Sequence, residues 1–444
     1  MKKFFSYQQP FFLARIQRFL NNTYNSQFVR NVAVVVSGTA GAQAITMAFA
    51  PFITRLYGPE AFGLQGTYMA IVVVVMPISA LSFPIAIVLP REDSEAREIA
   101  RLSAYIALCM AAICTFVILA ADDFLVEVLQ LHEIESYLLL IPLVIVFSAW
   151  LHINQQWMLR KKQFKISARA GITQAFLTSS AKTGIGFFSP QAAVLIIIST
   201  LGYAIHAFIL SIGINKVEKN CLKEKGMSRI TIKQLIIKYY DFPVFRTPQI
   251  FLNAFSQSMP IIVLASFFGP VSAGFYGLGK GLLDMPSQLI GKSVGDVFYS
   301  RISEAANRGE KLNDLIFRAT LGLAVVSFIP FAVVIFFGPS LFGIVFGSEW
   351  FFAGEYARWL SFWMFFSCIN KPTIASIPVL GLQNLLLIYE IISLVIRIVA
   401  LFIGFHILHS DVQAIILFSF TGVIANIFLI FLTILKSKSF RMTH

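Results

Sequence analysis

The feature that most constrains this chain is a series of long apolar runs. A helix needs about 20 apolar residues to cross a bilayer, and in lipid only helices or closed barrels satisfy the backbone hydrogen bonds. Six runs precede a polar stretch near 215–240 and six follow it. Numbered as spans 1–12, they lie at 31–54, 64–88, 99–120, 136–157, 166–187, 191–214, 244–267, 273–297, 315–337, 356–379, 383–407 and 412–435. The sequence therefore predicts an all-α polytopic membrane protein with about 12 transmembrane helices. Spans 5 and 8 are the least apolar, so ten or eleven spans are the alternative.

Composition supports this class and excludes others. The chain is 57% apolar and 13% charged, whereas average globular proteins are about 45–50% apolar and about 25% charged. A soluble enzyme, a coiled coil, a disordered chain and a secreted disulfide scaffold are therefore excluded. The net charge of +13 would suit a nucleic-acid partner, but in a membrane protein such an excess marks the cytoplasmic loops. We expect no nucleic acid among the partners.

The basic residues fix the predicted orientation. Of the 35 Lys and Arg residues, 27 lie in the two tails and in the loops after spans 2, 4, 6 and 8. The loop after span 3 instead carries five acidic residues and no basic one. Because basic loops stay in the cytoplasm, both termini are predicted to be cytoplasmic. The predicted location is the bacterial cytoplasmic (inner) membrane.

The polar stretch also divides the chain. We predict a basic amphipathic segment, an N-lobe with spans 1–6, a cytoplasmic linker, a C-lobe with spans 7–12 and a basic tail. These units cover 1–30, 31–214, 215–243, 244–435 and 436–444. Six spans return the chain to its starting side, so the lobes have the same orientation and can enclose a central cavity.

An internal repeat supports two lobes. A shift of 211 residues superposes Gly58, Pro59, Gly63 and Gly66 on Gly269, Pro270, Gly274 and Gly277. Both copies fall in an outer turn, after span 1 and after span 7. We therefore predict that Gly58, Pro59, Gly269 and Pro270 form the turns that move when the lobes rock.

Charged residues within spans mark the candidate site, because a charge at mid-bilayer costs at least about 2.5–3.5 kcal/mol. Span 8 carries Lys280 and Asp284, one helical turn apart, and span 11 carries Glu390 and Arg397. Lys371 lies deep in span 10, before a proline. These residues either neutralise one another in pairs, or Lys280, Lys371 and Arg397 line a cationic lumen that binds an anionic substrate. Three bases against two acids favour the lumen.

Further candidates complete the site. Asp284 and Glu390 are the candidates for coupling to a Na⁺ or H⁺ gradient, since they are carboxylates well inside the membrane. Arg55, at the outer end of span 1, fits a substrate contact, a cap on the last carbonyls of its own helix or a lipid-headgroup anchor. We include Arg55 with the substrate-binding candidates.

The sequence carries no enzyme signature. Walker A, G-x-S-x-G and H-E-x-x-H patterns are absent, and the histidines form no metal-ligand cluster. A glycan polymerase would need a large outer loop, whereas the outer connections near 121–135 and 338–355 are short. We therefore predict a transporter without metal or cofactor.

Three segments resemble a known family. Residues 55–63 resemble its outer turn after the first span, 157–165 its basic loop after span 4, and 346–350 with 353–358 its approach to span 10. The family is that of the polysaccharide-biosynthesis flippases, including Wzx-type O-antigen translocases, in the multidrug/oligosaccharidyl-lipid/polysaccharide superfamily. With the twelve-span layout, the resemblance covers nearly the whole chain.

The resemblance implies a two-lobed alternating-access transporter. Its cargo would be an undecaprenyl-pyrophosphate-linked oligosaccharide for O-antigen, capsule or exopolysaccharide, and its partners the bilayer and other glycan-assembly membrane proteins. The anionic pyrophosphate suits a cationic lumen, although no motif matches Lys280, Lys371 or Arg397 to the family's residues. The alternatives are multidrug or cation extrusion within the same superfamily and a membrane glycan polymerase.

Overall fold

The computed structural model describes residues 27–129, 132–219 and 231–438, which are helical nearly throughout and contain no strand. We number the helices along the chain. They are α1 (Gln27–Val75), α2 (Asp93–Leu129), α3 (Glu135–Leu138), α4 (Ile141–Arg160), α5 (Phe164–Gly186), α6 (Ala192–Lys219), α7 (Ile232–Lys238), α8 (Thr247–Phe268), α9 (Pro270–Asn307), α10 (Leu312–Phe346), α11 (Phe351–Ile369), α12 (Lys371–Leu380), α13 (Gln383–His406) and α14 (Asp411–Lys438). The predicted segment 1–30 lies almost wholly outside the described residues, as do parts of the linker and of the tail.

Helices cover the predicted spans, with two differences. Spans 1 and 2 form one helical run, α1, broken at Gly58. The α-helix predicted for the end of span 2 is wrong beyond Val75. There the chain continues through the short 3₁₀ helices Met76–Ile78 and Phe83–Val88. Each contains a proline, which cannot donate the backbone hydrogen bond of a continuing α-helix.

Eight helical segments are long and apolar enough to cross a membrane. They are Val34–Ile78, Asp93–Ala120, Glu135–Arg160, Ala192–Asn215, Phe242–Phe268, Leu312–Phe346, Gln383–His406 and Asp411–Lys438. The helices of predicted spans 5, 8 and 10 are not among them; α5 and α9 are rich in Ser, Thr, Gly and Lys. The chain is thus an all-helical polytopic membrane protein, and the count of 12 crossings stays a prediction.

Helix α1 holds the two halves of the chain together. It packs against α5 and α6 of the first half and against α8 and α9 of the second. Gly38 lies directly on Ala168 of α5, and Gly41 faces Ile172 one turn further along. Small residues let helix backbones approach closely, which is how helices associate in lipid.

Each half also carries a buried apolar cluster. In the second half it centres on Trp350, Tyr356 and Phe418, contributed by the segments around α9–α11 and by α14. In the first half Tyr68 and Ile145 belong to a separate cluster. The division into two lobes remains a prediction.

The loops predicted to be cytoplasmic are tied together by charge. Arg160, at the end of α4, binds the Asp93 carboxylate at 2.9 Å and donates to the carbonyl of Pro90 at 2.6 Å. Lys161 forms a second ion pair with Asp93. The basic segment 157–165 therefore holds the loop before α2 in place.

The linker helix α7 is fastened to the first half. Leu235 and Tyr239 are buried against apolar residues at the start of α2, and Glu95 of α2 accepts hydrogen bonds from Lys238 at 2.5 Å and from Tyr239 at 2.9 Å. The hydrogen bond from Lys238 to Glu95 raises the pKa of Lys238, against a smaller effect of burial. The linker is thus held against the first half on its basic side.

Candidate functional site

A cavity in the second half of the chain lies between α8, α9, α11, α13 and α14. Leu394, Arg397 and Leu401 recur on one face of α13 and point toward it. Polar and aromatic side chains complete its lining: Ser256, Gln257, Tyr276, Trp363 and Phe418. A cation, hydroxyls and an amide thus face one small space inside the bundle.

Arg397 is the principal charge in this cavity. Its guanidinium carbon lies 4.6 Å from the ring centroid of Trp363 and 5.7 Å from that of Phe418. Its buried Nε has no hydrogen-bond partner, and Arg397 forms no ion pair with any described residue. The two rings partly compensate its charge, by about 2 kcal/mol for a desolvated cation–π contact. The N–H groups remain available to a ligand.

The rings around Arg397 form a rigid frame. Trp363 meets Phe418 edge-on, with centroids 5.2 Å apart, and Phe418 meets Tyr276 at 6.4 Å. Gly422 allows α14 to approach the indole of Trp363, which a Cβ there would meet at 2.5 Å. The buried hydroxyl of Tyr276 has no partner among the described residues, so a second donor faces the cavity region.

Lys280 and Asp284 form an ion pair of 2.6 Å on α9. Their side chains are 18% and 29% exposed, so the pair is largely desolvated. Tyr276, one turn before Lys280, interacts electrostatically with both Asp284 and Arg397. Of these α9 residues Tyr276 lines the cavity and Lys280 and Asp284 do not, and the charge of Lys280 is balanced by its neighbour.

Glu390 does not pair with Arg397, so the paired alternative does not hold for these two residues. The two residues are seven apart on α13, which is about 10 Å along the axis, and no salt bridge joins them. Glu390 is exposed, whereas Arg397 faces the cavity. Lys371 lies at the junction of α11 and α12, is partly buried and forms no ion pair with the described residues. Its neighbour Asn370 donates to Asn426 at 2.8 Å.

Arg55 lies where α1 meets the end of α10. Its guanidinium donates to the carbonyl of Ile344 at 2.7 Å, close to where α10 ends at Phe346. Thr54 donates to the Phe346 carbonyl, and Trp350 donates to the Thr54 carbonyl at 3.0 Å. Arg55 thus caps the carboxyl end of α10, where a cation is favourable, and not its own helix.

The two Gly-Pro turns have the same backbone conformation. Gly58 has φ 68° and ψ 171°, and Gly269 has φ 83° and ψ 174°. The turns pack reciprocally: a Cβ on Gly63 would collide with the Pro270 carbonyl, and one on Gly274 with the Pro59 carbonyl. This two-fold exchange of equivalent residues is the pattern of a self-complementary contact.

The rings around Arg397 are the part of the site that the sequence did not reveal. Trp363, Phe418 and Tyr276 are ordinary apolar residues in their spans, among 45 Phe and 13 Tyr in the chain. One sequence signal was available for Tyr276. It recurs with Lys280 and Asp284 at every fourth residue, so the three lie on one face of the helix. Which ring meets Arg397 depends on tertiary packing, which no local pattern carries.

The chain matches one protein family over most of its length. The family described as "Polysaccharide biosynthesis protein" matches residues 52–354. No curated protein matches the chain. The family match includes the outer turns, both halves of the repeat and α9 with Lys280.

Solved structures share the fold over nearly the whole chain. An inward-facing multidrug resistance MATE transporter of the MOP superfamily aligns with TM-score 0.68 at 12% identity, over 90% of this chain and 98% of its own. The lipid II flippase MurJ, in an inward closed conformation, aligns with TM-score 0.65 at 14% identity, over 91% and 90%. A MOP-superfamily transporter from Pyrococcus furiosus, described as having a binding pocket of reverse polarity, aligns with TM-score 0.58 at 15% identity, over 93% of this chain and 95% of its own. The helices are thus arranged as in MOP-superfamily transporters.

Proposed function

The chain belongs to the family of polysaccharide biosynthesis proteins, and from that premise we propose that it moves an anionic lipid-linked oligosaccharide across a bacterial cytoplasmic membrane. The proposed cargo is an undecaprenyl-pyrophosphate-linked repeat unit for O-antigen, capsule or exopolysaccharide. The transport fold shared with MurJ, named as a lipid II flippase, supports this class of cargo.

The observation that carries the proposal is Arg397. A buried guanidinium without a carboxylate partner is costly unless something neutralises it, and a pyrophosphate supplies two anionic groups with bidentate acceptor oxygens. Planar guanidinium groups suit such oxygens better than lysine does. We propose that Arg397 binds the pyrophosphate in the translocation pathway, with the Tyr276 hydroxyl as a second donor.

The mechanism we propose is alternating access. The pyrophosphate enters from the basic side, the sugar occupies the lumen, and the prenyl chain stays in lipid. Lys371 extends the cationic path, and Lys280 leaves Asp284 for the arriving phosphate. The released Asp284 carboxylate then takes up H⁺ or Na⁺, with Glu390 as the other coupling candidate.

The outer turns would control opening. In the described conformation, Gly58-Pro59 and Gly269-Pro270 pack against each other, and Arg55 joins α1 to the end of α10. We propose that the reciprocal contact separates when the lumen faces outward. Arg55 then acts as a conformational latch or, once freed, as a substrate contact.

The test is made in the host. Deleting the gene should abolish surface glycan while complete lipid-linked repeat units accumulate on the inner leaflet. Re-expression of the wild-type chain should restore export, and Arg397→Gln should not, at equal protein level. Single repeat units that reach the outer face but never lengthen would identify a polymerase instead.

Extrusion of cationic drugs is the second candidate, favoured by the structural likeness to MATE transporters. A buried arginine repels such substrates, by about 4 kcal/mol for two unit charges 4 Å apart at an effective dielectric constant of 20. Efflux of a cationic dye that depends on the chain, with unchanged glycan, would favour this candidate over the flippase.

A further inference from the structure

An apolar groove runs between α13 and α14, on a face of α13 adjacent to the one that carries Arg397. It has a volume of about 620 Å³. Its walls are almost entirely apolar: Leu385, Ile388, Tyr389, Ile392, Ser393 and Ile396 on α13, and Thr421, Ile424, Ala425, Phe428, Leu429 and Leu432 on α14. Ile424 is 66% exposed and Ile388 58% exposed, so no described element covers these side chains.

The groove is closed at one end and open at the other. Near the α13–α14 turn, Gly404 lies directly on Ala414, and a Cβ on Gly404 would collide with it. Further from that turn the helices leave a space wide enough for another chain of atoms. The open end lies toward the start of α13 and the end of α14, which is the side of the basic loops.

The length of the groove matches one leaflet. From Leu385 to Ile396 is eleven residues, or about 16 Å along the helix, roughly half of the 30 Å hydrocarbon core. A hydrocarbon chain that enters from the basic side would therefore fill it to the level of Arg397. A prenyl carrier long enough to span the bilayer would overrun it.

The charges at the mouth favour an anionic head group. Lys436 follows Leu432 by four residues, so it continues the groove face of α14 by one turn. The amino end of α13 begins beside the mouth at Gln383 and adds the positive end of a helix dipole. Glu390, the acidic residue of α13, is five residues from Leu385 and lies off the groove face.

We propose that this groove binds one acyl chain of an anionic phospholipid from the leaflet on the basic side. The head group lies at Lys436 and the chain packs along Ile388, Ile392 and Ile424. Since α13 carries Arg397 on the adjacent face, the bound lipid holds that helix against the cavity. The lipid is distinct from the transported cargo.

The experiment is native mass spectrometry of the purified full-length chain in detergent, titrated with phosphatidylglycerol, phosphatidylethanolamine or undecaprenyl phosphate. Ala425→Trp fills the groove, and Ile427→Trp is the matched control on the outer face of α14, where Ile427 is 46% exposed. Excluding two methylenes should weaken phosphatidylglycerol binding about tenfold in Ala425→Trp. Lys436→Gln should remove the preference for phosphatidylglycerol over phosphatidylethanolamine, about fivefold.

The outcomes separate the candidates. Retained phosphatidylglycerol binding in Ala425→Trp, or an equal loss in Ile427→Trp, overturns the site. Displacement of phosphatidylglycerol by an equal concentration of undecaprenyl phosphate assigns the groove to the prenyl chain and overturns the phospholipid. The melting temperature of each variant shows that it is folded, and the binding readout does not depend on the transported cargo.

Discussion

At the scale of single residues, Arg397 differs from the paired charges of the second half. Lys280 has Asp284 at 2.6 Å and Arg358 has Glu355 at 2.9 Å, whereas Arg397 meets only rings. Stacking retains the charge and leaves the N–H groups free. A residue so placed suits recognition better than stability, since replacing a buried charge by an uncharged residue is often neutral for folding.

Arg397→Gln should therefore impair transport without unfolding the protein. Loss of charge-assisted hydrogen bonds costs about 1.5–3 kcal/mol, or about 10- to 150-fold in apparent affinity for the cargo. Arg397→Lys, which keeps the charge but not the planar fork, should be intermediate. Arg246→Gln, at an exposed arginine bonded to Gln249, is the control. The measurements are cargo affinity and melting temperature, and equal loss in Arg246→Gln would contradict the assignment.

Asp284 is the residue on which the proposed coupling depends. Asp284→Asn should abolish acceleration of transport by an imposed ion gradient while cargo still binds, because the amide cannot exchange a proton. The double variant Lys280→Gln/Asp284→Asn removes both charges and tests the structural interpretation. If the double variant regains gradient-driven transport, the pair is merely structural and Asp284 is not the coupling residue.

At this scale the sequence predicted the charged residues better than their neighbours. The cost of burying a charge singled out Lys280, Asp284 and Arg397 from spacing alone. The alternative that Glu390 pairs with Arg397 does not hold, because a shared helical face does not bring residues two turns apart into contact. The sequence argument also missed that Arg55 caps α10. That helix begins at Leu312, 257 residues further along the chain. Such tertiary contacts leave no local pattern.

At the scale of elements, the reciprocal Gly-Pro turns set how closely the halves approach. Gly274→Ala would push the Pro59 carbonyl away, whereas Gly281→Ala on the same helix has no atom within 4 Å of the added Cβ. Gly274→Ala should lower the melting temperature and increase labelling of a cysteine placed at the outer turn. Gly281→Ala should leave both unchanged, and equal behaviour of the two variants would contradict the role of the contact.

The linker helix gives a prediction about pH. Glu95→Gln removes the acceptor of Lys238 and Tyr239 and should cost about 1–2 kcal/mol, discounted for the exposure of Lys238. The pKa of Lys238 is raised on folding, so its contribution is complete below its ordinary value of 10.5 and is lost as the pH rises through the folded value. The difference in melting temperature between wild type and Glu95→Gln should hence shrink above that pH. A difference that stays constant as the pH rises through that value would contradict the ion pair.

The sequence predicted the elements well where apolar length decides them. Runs of apolar residues placed a helix on every predicted span. The exceptions have local causes: the prolines near 76–88 replace α-helix by 3₁₀ turns, and span 10 is divided at Asn370 into α11 and α12. Helix order does not reveal which faces meet, so the position of the cavity had to come from the structure.

At the scale of the whole molecule, the account joins a MOP-superfamily fold, family membership and a cavity arginine, Arg397, that pairs with no described carboxylate. The fold provides two halves that meet through α1, α8 and α9, and the cavity provides a place for an anion. The central claim is that the chain moves an anionic lipid-linked oligosaccharide. The groove beside α14 makes a separate claim about membrane lipid and does not bear on it.

The most direct measurement reconstitutes the purified chain in liposomes with fluorescent undecaprenyl-pyrophosphate oligosaccharide. Chemical quenching from outside reports how much cargo has crossed. The account predicts that the wild-type chain exposes the inner pool, that Arg397→Gln does not, and that Arg246→Gln matches wild type. If wild type moves no more cargo than empty liposomes with or without an ion gradient, or if Arg397→Gln moves it as fast as wild type, the central claim is contradicted.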